Sequence, residues 1–399
     1  MKVLIVNKFL YPNGGSETYI FKLGEEMEKQ GHEVQYFGME HEGRIVGNHA
    51  QCYTGNMDFH TGKLQKLLYP FKIIYSREAA RKMCIVLEDM QPDVVHLNNF
   101  NFQLTPSVIY AVRKYNKRYG KKVRLIYTAH DSQLVCPNHL MQNPITHDCC
   151  DACLTKGVGQ YAKRRCIHGS RAKSLIGTVE AKLYKALKTY RLIDVVICPS
   201  RFLKEKLDTD PVLRQRTVVL HNFVDKQLDI TNVEKQDYVL YFGRYSEEKG
   251  IRTLAEVCKK LPNILFHFAG SGPLEEELHQ IANIKLLGFL SGETLMKEIA
   301  QARFVVFPSE CYENCPFTVM EAQLYGTPVI ASDIGGTPEL LEENQTGELF
   351  ESGNVKILAK KIENLWQDTE RLERYTVNCR NVHFDNAEQY VDKIMKLYQ

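Results

Sequence analysis

Short apolar runs of strand character alternate with helix-length amphipathic stretches from end to end of the 399 residues. That alternation leaves few architectures open. Strands joined by helical crossovers run parallel, are covered on both faces, and therefore read as unbroken apolar segments. Val3 to Val6, Val195 to Cys198, Tyr238 to Phe242 and Phe304 to Phe307 all have this form, and Val123 to Thr128 reads as a further strand. A chain this long exceeds one ordinary hydrophobic core. The sequence thus predicts two doubly wound, Rossmann-like α/β domains facing across a crevice. Residues 1–225 form the first, a polar stretch over 226–236 serves as linker, and residues 236–380 form the second.

Composition narrows the partners. Hydrophobic residues at 44% and charged residues at 25% are globular values, and a net charge of +3 is too small to imply nucleic-acid binding. Any basic character must be local. No apolar run is long enough to span a bilayer, and Met1 to Asn7 reads as a strand rather than a secretory leader. A cytoplasmic protein is expected.

Four places carry chemistry. After the first strand, Gly14-Gly15 precedes a helix from about Glu17 to Gln30, with Ser16 as its cap and Gly31 at its end. The glycine pair either lets an anionic ligand approach the helix amino terminus or meets a need for positive φ. His130 ends the strand Val123 to Thr128 on the edge where open parallel sheets bind ligands, with Asp131 as its orienting partner or a cap. The strand Tyr238 to Phe242 delivers Arg244, and a short turn returns Lys249 close by. Two fixed cations there can neutralise a leaving diphosphate as a metal does elsewhere. Finally, Phe304 to Phe307 leads into an acidic loop and a helix that opens at Pro316, with Phe317, Met320 and Leu324 as its buried stripe. Glu313 lies in the loop and Glu321 more than a turn inside the helix, so they cannot act as a paired acid and base on one face. Glu321, beside the buried stripe, needs a partner such as a pair of ribose hydroxyls.

Glu313 and Glu321 stand in a Glu-x7-Glu spacing followed by Gly326-Thr327-Pro328-Val329-Ile330. This pattern resembles the retaining glycosyltransferases of the GT-B type in the family-4 group, and the likeness runs through Asn222-Phe223-Val224-Asp225, Gly243-Arg244 with Lys249, and Ser332 to Glu339. The resemblance implies transfer of a sugar from a nucleoside diphosphate to a hydroxyl of a glycan or lipid-linked acceptor, with retention, in cell-surface polysaccharide synthesis. It implies catalytic roles for Arg244, Lys249, Glu313 and His130, the last two at the donor sugar, and a ribose contact at Glu321. Further donor contacts fall on Asn314, Pro316, Phe317 and Thr318, base contacts on Gly288, Phe289 and Leu290, and Gly14 and Gly15 border the donor phosphate and acceptor. The commonest family form has Gly-Phe-Gly after the first glutamate; here Asn314-Cys315-Pro316 removes one amide donor. The terminal helix, within residues 384–399, is implied to complete the first domain. A sugar-nucleotide epimerase and a non-catalytic nucleotide-sugar-binding assembly protein are the competing functions. No catalytic metal is expected, because no Asp-x-Asp motif precedes a donor crevice.

Two further segments stand apart. Cys136, Cys149, Cys150, Cys153 and Cys166 cluster, and Cys150-Asp151-Ala152-Cys153 has metal-knuckle spacing, so Cys136, Cys150, Cys153 and Cys166 are expected to hold a structural zinc, with free thiols as the plain alternative. Between Asp151 and Glu180 there are six cations and no acid, which suits an anionic acceptor or lipid headgroup. Lys63 to Leu68 and Phe71 to Tyr75 mix cations with apolar residues. That mixture fits either the inner face of a membrane or an amphipathic core helix, the latter being the plainer reading.

Overall fold

The computed structural model describes residues 1–55, 72–226, 228 and 233–399. Lys63 to Phe71, weighed above as a membrane segment, lie outside the described residues. The chain divides into a first unit, Met1–His221 with Ala387–Gln399, and a second unit, Asn222–Asn386. Among the described residues no helix is long and apolar enough to cross a membrane.

In the first unit the strands are β1 (Lys2–Val6), β2 (Glu33–Phe37), β3 (Val94–Leu97), β4 (Arg124–Thr128), β5 (Val195–Cys198) and β6 (Thr217–Val219). They form one parallel sheet in the order β2-β1-β3-β4-β5-β6. Every residue of β3 is buried, and each of β1, β2 and β4 is buried beyond its first residue, as expected of strands covered on both faces. The helices are α1 (Gly15–Lys29), α2 (Arg77–Met90), α3 (Ser107–Tyr119), α4 (Ala152–Lys156), α5 (Gly159–Lys163), α6 (Arg171–Ala186) and α7 (Arg201–Leu207). Ser16 does not cap α1. The cap residue is Gly14, whose side chain offers no oxygen, and the Ser16 hydroxyl instead accepts from Asn99 Nδ2 at 2.8 Å.

The second unit repeats the plan with β7 (Val239–Phe242), α8 (Ile251–Lys260), β8 (Phe266–Ala269), α9 (Glu275–Leu278), β9 (Ile284–Gly288), α10 (Gly292–Gln301), β10 (Phe304–Phe307), α11 (Phe317–Leu324), β11 (Val329–Ser332), β12 (Gly347–Phe350), α12 (Val355–Gln367) and α13 (Thr369–Asn381). Its parallel sheet runs β12-β11-β10-β7-β8-β9, so strand order reverses between β7 and β10. One core packs α8 and α12 on one face, and another packs α10 and α11 on the other.

The last helix, α14 (Ala387–Tyr398), belongs to the first unit. Polar contacts inside the unit hold it: Tyr398 Oη lies 2.6 Å from His96 Nδ1, Tyr390 Oη 2.9 Å from Tyr19 Oη, and Arg124 Nε donates to the Leu397 carbonyl at 3.1 Å. Buried groups of this kind are costly unless paired, which fixes where the helix can sit.

Candidate active site

Open parallel sheets bind ligands at the carboxyl ends of the two strands where the order reverses. In the second unit those strands are β7 and β10, whose following loops carry Arg244 and Lys249 on one side and Glu313 on the other. Lys249 Nζ donates to Glu313 Oε1 at 2.6 Å, and Ser309 Oγ donates to the same oxygen at 2.7 Å. Burial opposes the lysine charge, but the Glu313 carboxylate and its hydrogen bond outweigh it and hold the ammonium above its ordinary pKa. Cys311 is packed alongside, its thiol pushed up to about 12 by burial and by Glu313. Arg244 is exposed and forms no ion pair among the described residues. One cation is therefore engaged by the carboxylate while the other faces solvent.

Backbone packing makes this arrangement specific. Gly250, at φ +70, ends the Lys249 turn, and a Cβ there would lie 1.8 Å from the Pro308 carbonyl, so the two loops touch only because residue 250 is glycine. Gly335, at φ +63, would place a Cβ 2.2 Å from the Glu313 carbonyl, which also accepts from the Gly336 amide at 2.7 Å. The glycine turn after β11 thus clamps the backbone of Glu313.

Downstream, the helix α11 begins at Phe317, one residue later than expected, with Pro316 as the extended residue before it. Its fully buried face is Val319, Met320, Ala322 and Gln323, whereas Phe317 and Leu324 are half-buried. The stripe shifted because the Gln323 amide nitrogen finds partners inside, donating to the carbonyls of Val319 and Leu340, and so the residue takes a core position that hydrophobicity alone withholds. Glu321, Asn314 and Thr318 are part-exposed on the loop and helix. Cys315 is buried and accepts from the Asn222 amide, while Asn222 Nδ2 donates to the Cys315 carbonyl at 3.0 Å. The Asn222 turn therefore anchors the segment in which Asn314-Cys315-Pro316 replaces the commoner glycines. Gly288, at φ +69, ends β9, and Phe289 beside it is 77% exposed, an open aromatic face.

In the first unit, order reverses between β1 and β3, and Gly14 and Gly15 follow β1 there. Gly14 has φ −179, extended backbone open to any residue, and a Cβ would meet only the Glu17 carboxylate at 3.5 Å. Neither positive φ nor internal crowding explains that glycine. His130 follows β4 with Nε2 2.9 Å from Asn98 Oδ1 and its ring edge-on to Tyr19 at 5.0 Å. Burial pushes its pKa down to about 4 against a smaller opposing pull from Asp131. Asp131 accepts from the Gln133 amide and lies 3.1 Å from His139 Nδ1, while Asn98 and Tyr19 contact the His130 ring.

Cys136 and Cys153 form a hydrogen-bonded thiol pair; the bond and burial hold Cys136 protonated, while the same bond pulls Cys153 below the ordinary thiol range against the opposing effect of burial. Burial pushes Cys166 up to about 11, helped by Cys153 and Cys150, and Arg164 Nη1 lies 3.4 Å from Cys150 Sγ. The four sulfurs share one neighbourhood. Among the described residues, however, no group of three or more His, Cys, Asp or Glu is placed to hold a metal ion.

Ser309, Asn98 and Asn222 are the supporting residues that sequence reasoning did not single out in these roles. Ser309 was legible in principle, since it follows the end of β10 and precedes Glu313 by four positions. The others act across the fold and leave no local signal.

Two parallel six-stranded sheets in separate doubly wound units, with cations and a carboxylate at a switch point, define the GT-B class of glycosyltransferase fold. The model described as Glycosyltransferase Family 4 matches residues 13–228, and that of Glycosyl transferases group 1 matches 224–382. The chain belongs to glycosyltransferase family 4. It is 27% identical over 242 residues to an uncharacterized glycosyltransferase of Methanocaldococcus jannaschii, covering 58% of this chain and 67% of that one. It is 25% identical over 242 residues to O-antigen chain mannosyltransferase C of Escherichia coli, covering 54% and 64% respectively. The match thus spans about two thirds of each relative's length. Among solved structures, sucrose-phosphate synthase of Thermosynechococcus elongatus shares the fold at TM-score 0.71, with 17% identity over 100% of this chain and 98% of that one. Anabaena HepE, solved with UDP and glucose, does so at TM-score 0.67 and 17% identity, covering 100% and 99%.

Proposed function

We propose that this glycosyltransferase takes a sugar from a nucleoside-diphosphate donor bound at the β7/β10 switch point and passes it, with retention, to a hydroxyl of a glycan or lipid-linked acceptor. The observation that carries this reading is the Lys249–Glu313 pair at 2.6 Å with Arg244 exposed on the same loop. Arg244 and Lys249 stabilise the charge that develops on the departing diphosphate, and Glu313, fixed by Ser309 and Lys249, meets the donor sugar. Glu321 takes the ribose, Phe289 offers its open face to the base, and the helix termini beside Gly14-Gly15 favour an anionic group. The diphosphate itself accepts the acceptor's proton, so no side chain is required as general base. Two cations in place make a catalytic metal dispensable. The Escherichia coli relative's O-antigen role and the UDP complex of the Anabaena neighbour support cell-surface polysaccharide as the product class and a uridine nucleotide as the first donor to test.

The deciding experiment follows nucleoside diphosphate release from a panel of UDP-, GDP- and ADP-sugars with and without glycan acceptors. Acceptor-dependent release is expected. Conversion of the donor sugar without acceptor would instead make the protein an epimerase, and binding without turnover an assembly factor. A structural zinc on Cys136, Cys150, Cys153 and Cys166 is a separate proposal. It would require Cys150 and Cys166 to close onto the existing thiol pair, and zinc near one per chain, lost in Cys153→Ser, supports it, whereas metal-free protein with titratable thiols ends it.

A further inference from the structure

The helix α6 is built inside out. Its inward face carries Ser174, Gly177, Thr178, Glu180 and Tyr184, with Gly177 packed so closely on Tyr161 that a Cβ would come within 2.5 Å of that ring. Its outward face carries the large aliphatic residues: Leu175 is 57% exposed, Val179 48%, Leu183 40% and, just past the helix end, Leu187 57%. Spaced four residues apart, these side chains line one stripe along the helix. A helix that only covers a core in water has the opposite polarity, and a contiguous apolar stripe facing solvent marks a contact surface.

Charge identifies the contact. From Lys156 to Arg191 the chain holds ten lysines and arginines, all exposed, and one carboxylate, Glu180, which is buried. Arg171 and Lys182 fall beside the stripe on the helix surface. Lys185 has Asp210 at 3.9 Å but remains 63% exposed. Two copies of this surface could bury the stripe against each other only by bringing the two sets of cations together, so self-association is opposed. A stripe of aliphatic side chains rimmed by cations instead matches the boundary between acyl chains and anionic headgroups.

We infer that α6 seats the first unit on a membrane surface containing anionic lipid, with Leu175, Val179, Leu183 and Leu187 entering the acyl boundary and the flanking lysines and arginines meeting headgroups. This places a membrane contact on the helix after the cysteine cluster. It is independent of the transfer reaction proposed above, because it needs no donor or acceptor.

Vesicle co-sedimentation of the full chain tests it, comparing phosphatidylcholine vesicles containing phosphatidylglycerol with phosphatidylcholine alone. Wild-type protein should partition onto the anionic vesicles and lose binding as salt rises. Leu175→Ser/Leu183→Ser should reduce the partition coefficient about tenfold or more, and Arg171→Gln/Lys182→Gln should reduce it severalfold on the anionic vesicles only. Because all four positions are exposed, melting temperatures should stay at the wild-type value, which excludes unfolding as the cause. Equal sedimentation of wild type and the leucine variant overturns the assignment to α6. Failure of the wild type to bind anionic vesicles, with or without a dimer in analytical ultracentrifugation that the leucine variant abolishes, overturns the membrane itself and leaves a protein partner.

Discussion

Replacing Lys249 by methionine keeps most of the unbranched apolar stem and removes the ammonium with its hydrogen bond, leaving the Glu313 carboxylate with Ser309 and the more distant Cys311 thiol. Stripping one partner from a fully buried ion pair costs about 3–5 kcal/mol, because the remaining charge is left uncompensated. Here the lysine side chain is 31% exposed and the glutamate 14%, so water recovers part of that loss. The expected destabilisation is about 1–3 kcal/mol. Removing the other charge as well, in Lys249→Met/Glu313→Gln, should restore most of it, giving a coupling energy of about 1–3 kcal/mol in a double-mutant cycle measured by urea unfolding. Activity should not recover in parallel, since neither charge remains to meet the donor. Losses that simply add, within about 0.5 kcal/mol, would refute the pairing as the element that fixes Glu313.

Arg244→Ala should leave the fold intact yet lower turnover by roughly two to three orders of magnitude, and EDTA should leave wild-type turnover unchanged; steady-state assays check both. Burial raises Glu180 from 4.5 to about 7, so between those pH values the folded state keeps a proton that the unfolded chain releases, and stability falls as pH rises through that window. Glu180→Gln should accordingly gain up to about 3 kcal/mol above pH 7 and nothing at pH 4, read from urea midpoints at both pH values. Burial lowers His96 to about 3 and His130 to about 4, so the folded state resists protonation that the unfolded chain accepts. Their stability contribution is present above the ordinary histidine range and is lost as pH falls from there toward 4. Imidazole resonances of both that stay neutral down to pH 5 would agree, and titration near 6.5 would not.

The architecture was written in the chain because strands buried on both faces are largely apolar along their length, as β7 and β10 are throughout and β3 and β11 are apart from His96 and Ser332. The positions of Arg244, Lys249 and Glu313 followed from where those strands end. What the chain did not disclose is which of them touch. Lys249 and Glu313 lie 64 residues apart, and their contact depends on Gly250 and Gly335 allowing loops from β7, β10 and β11 to meet. The cap of α1 misled for a simpler reason: Ser16 finds a partner in Asn99, far along the chain, that local patterning cannot see. The stripe of α11 shifted because Gln323 buries its amide against two carbonyls. Outward leucines on α6 were invisible as well, since a stripe of period four looks the same whether it faces a core or the solvent.

The central claim is that a nucleoside diphosphate binds where β7 and β10 part. Isothermal titration calorimetry of the full chain with UDP, GDP and ADP, repeated on Arg244→Ala and Glu321→Ala, tests it most directly. One nucleotide should bind in preference to the others, and each substitution should weaken that binding by about tenfold or more, corresponding to a lost charge-assisted contact of about 1.5–3 kcal/mol. Absence of binding by all three nucleotides, or wild-type affinity in both variants, would contradict the placement of the donor at this site.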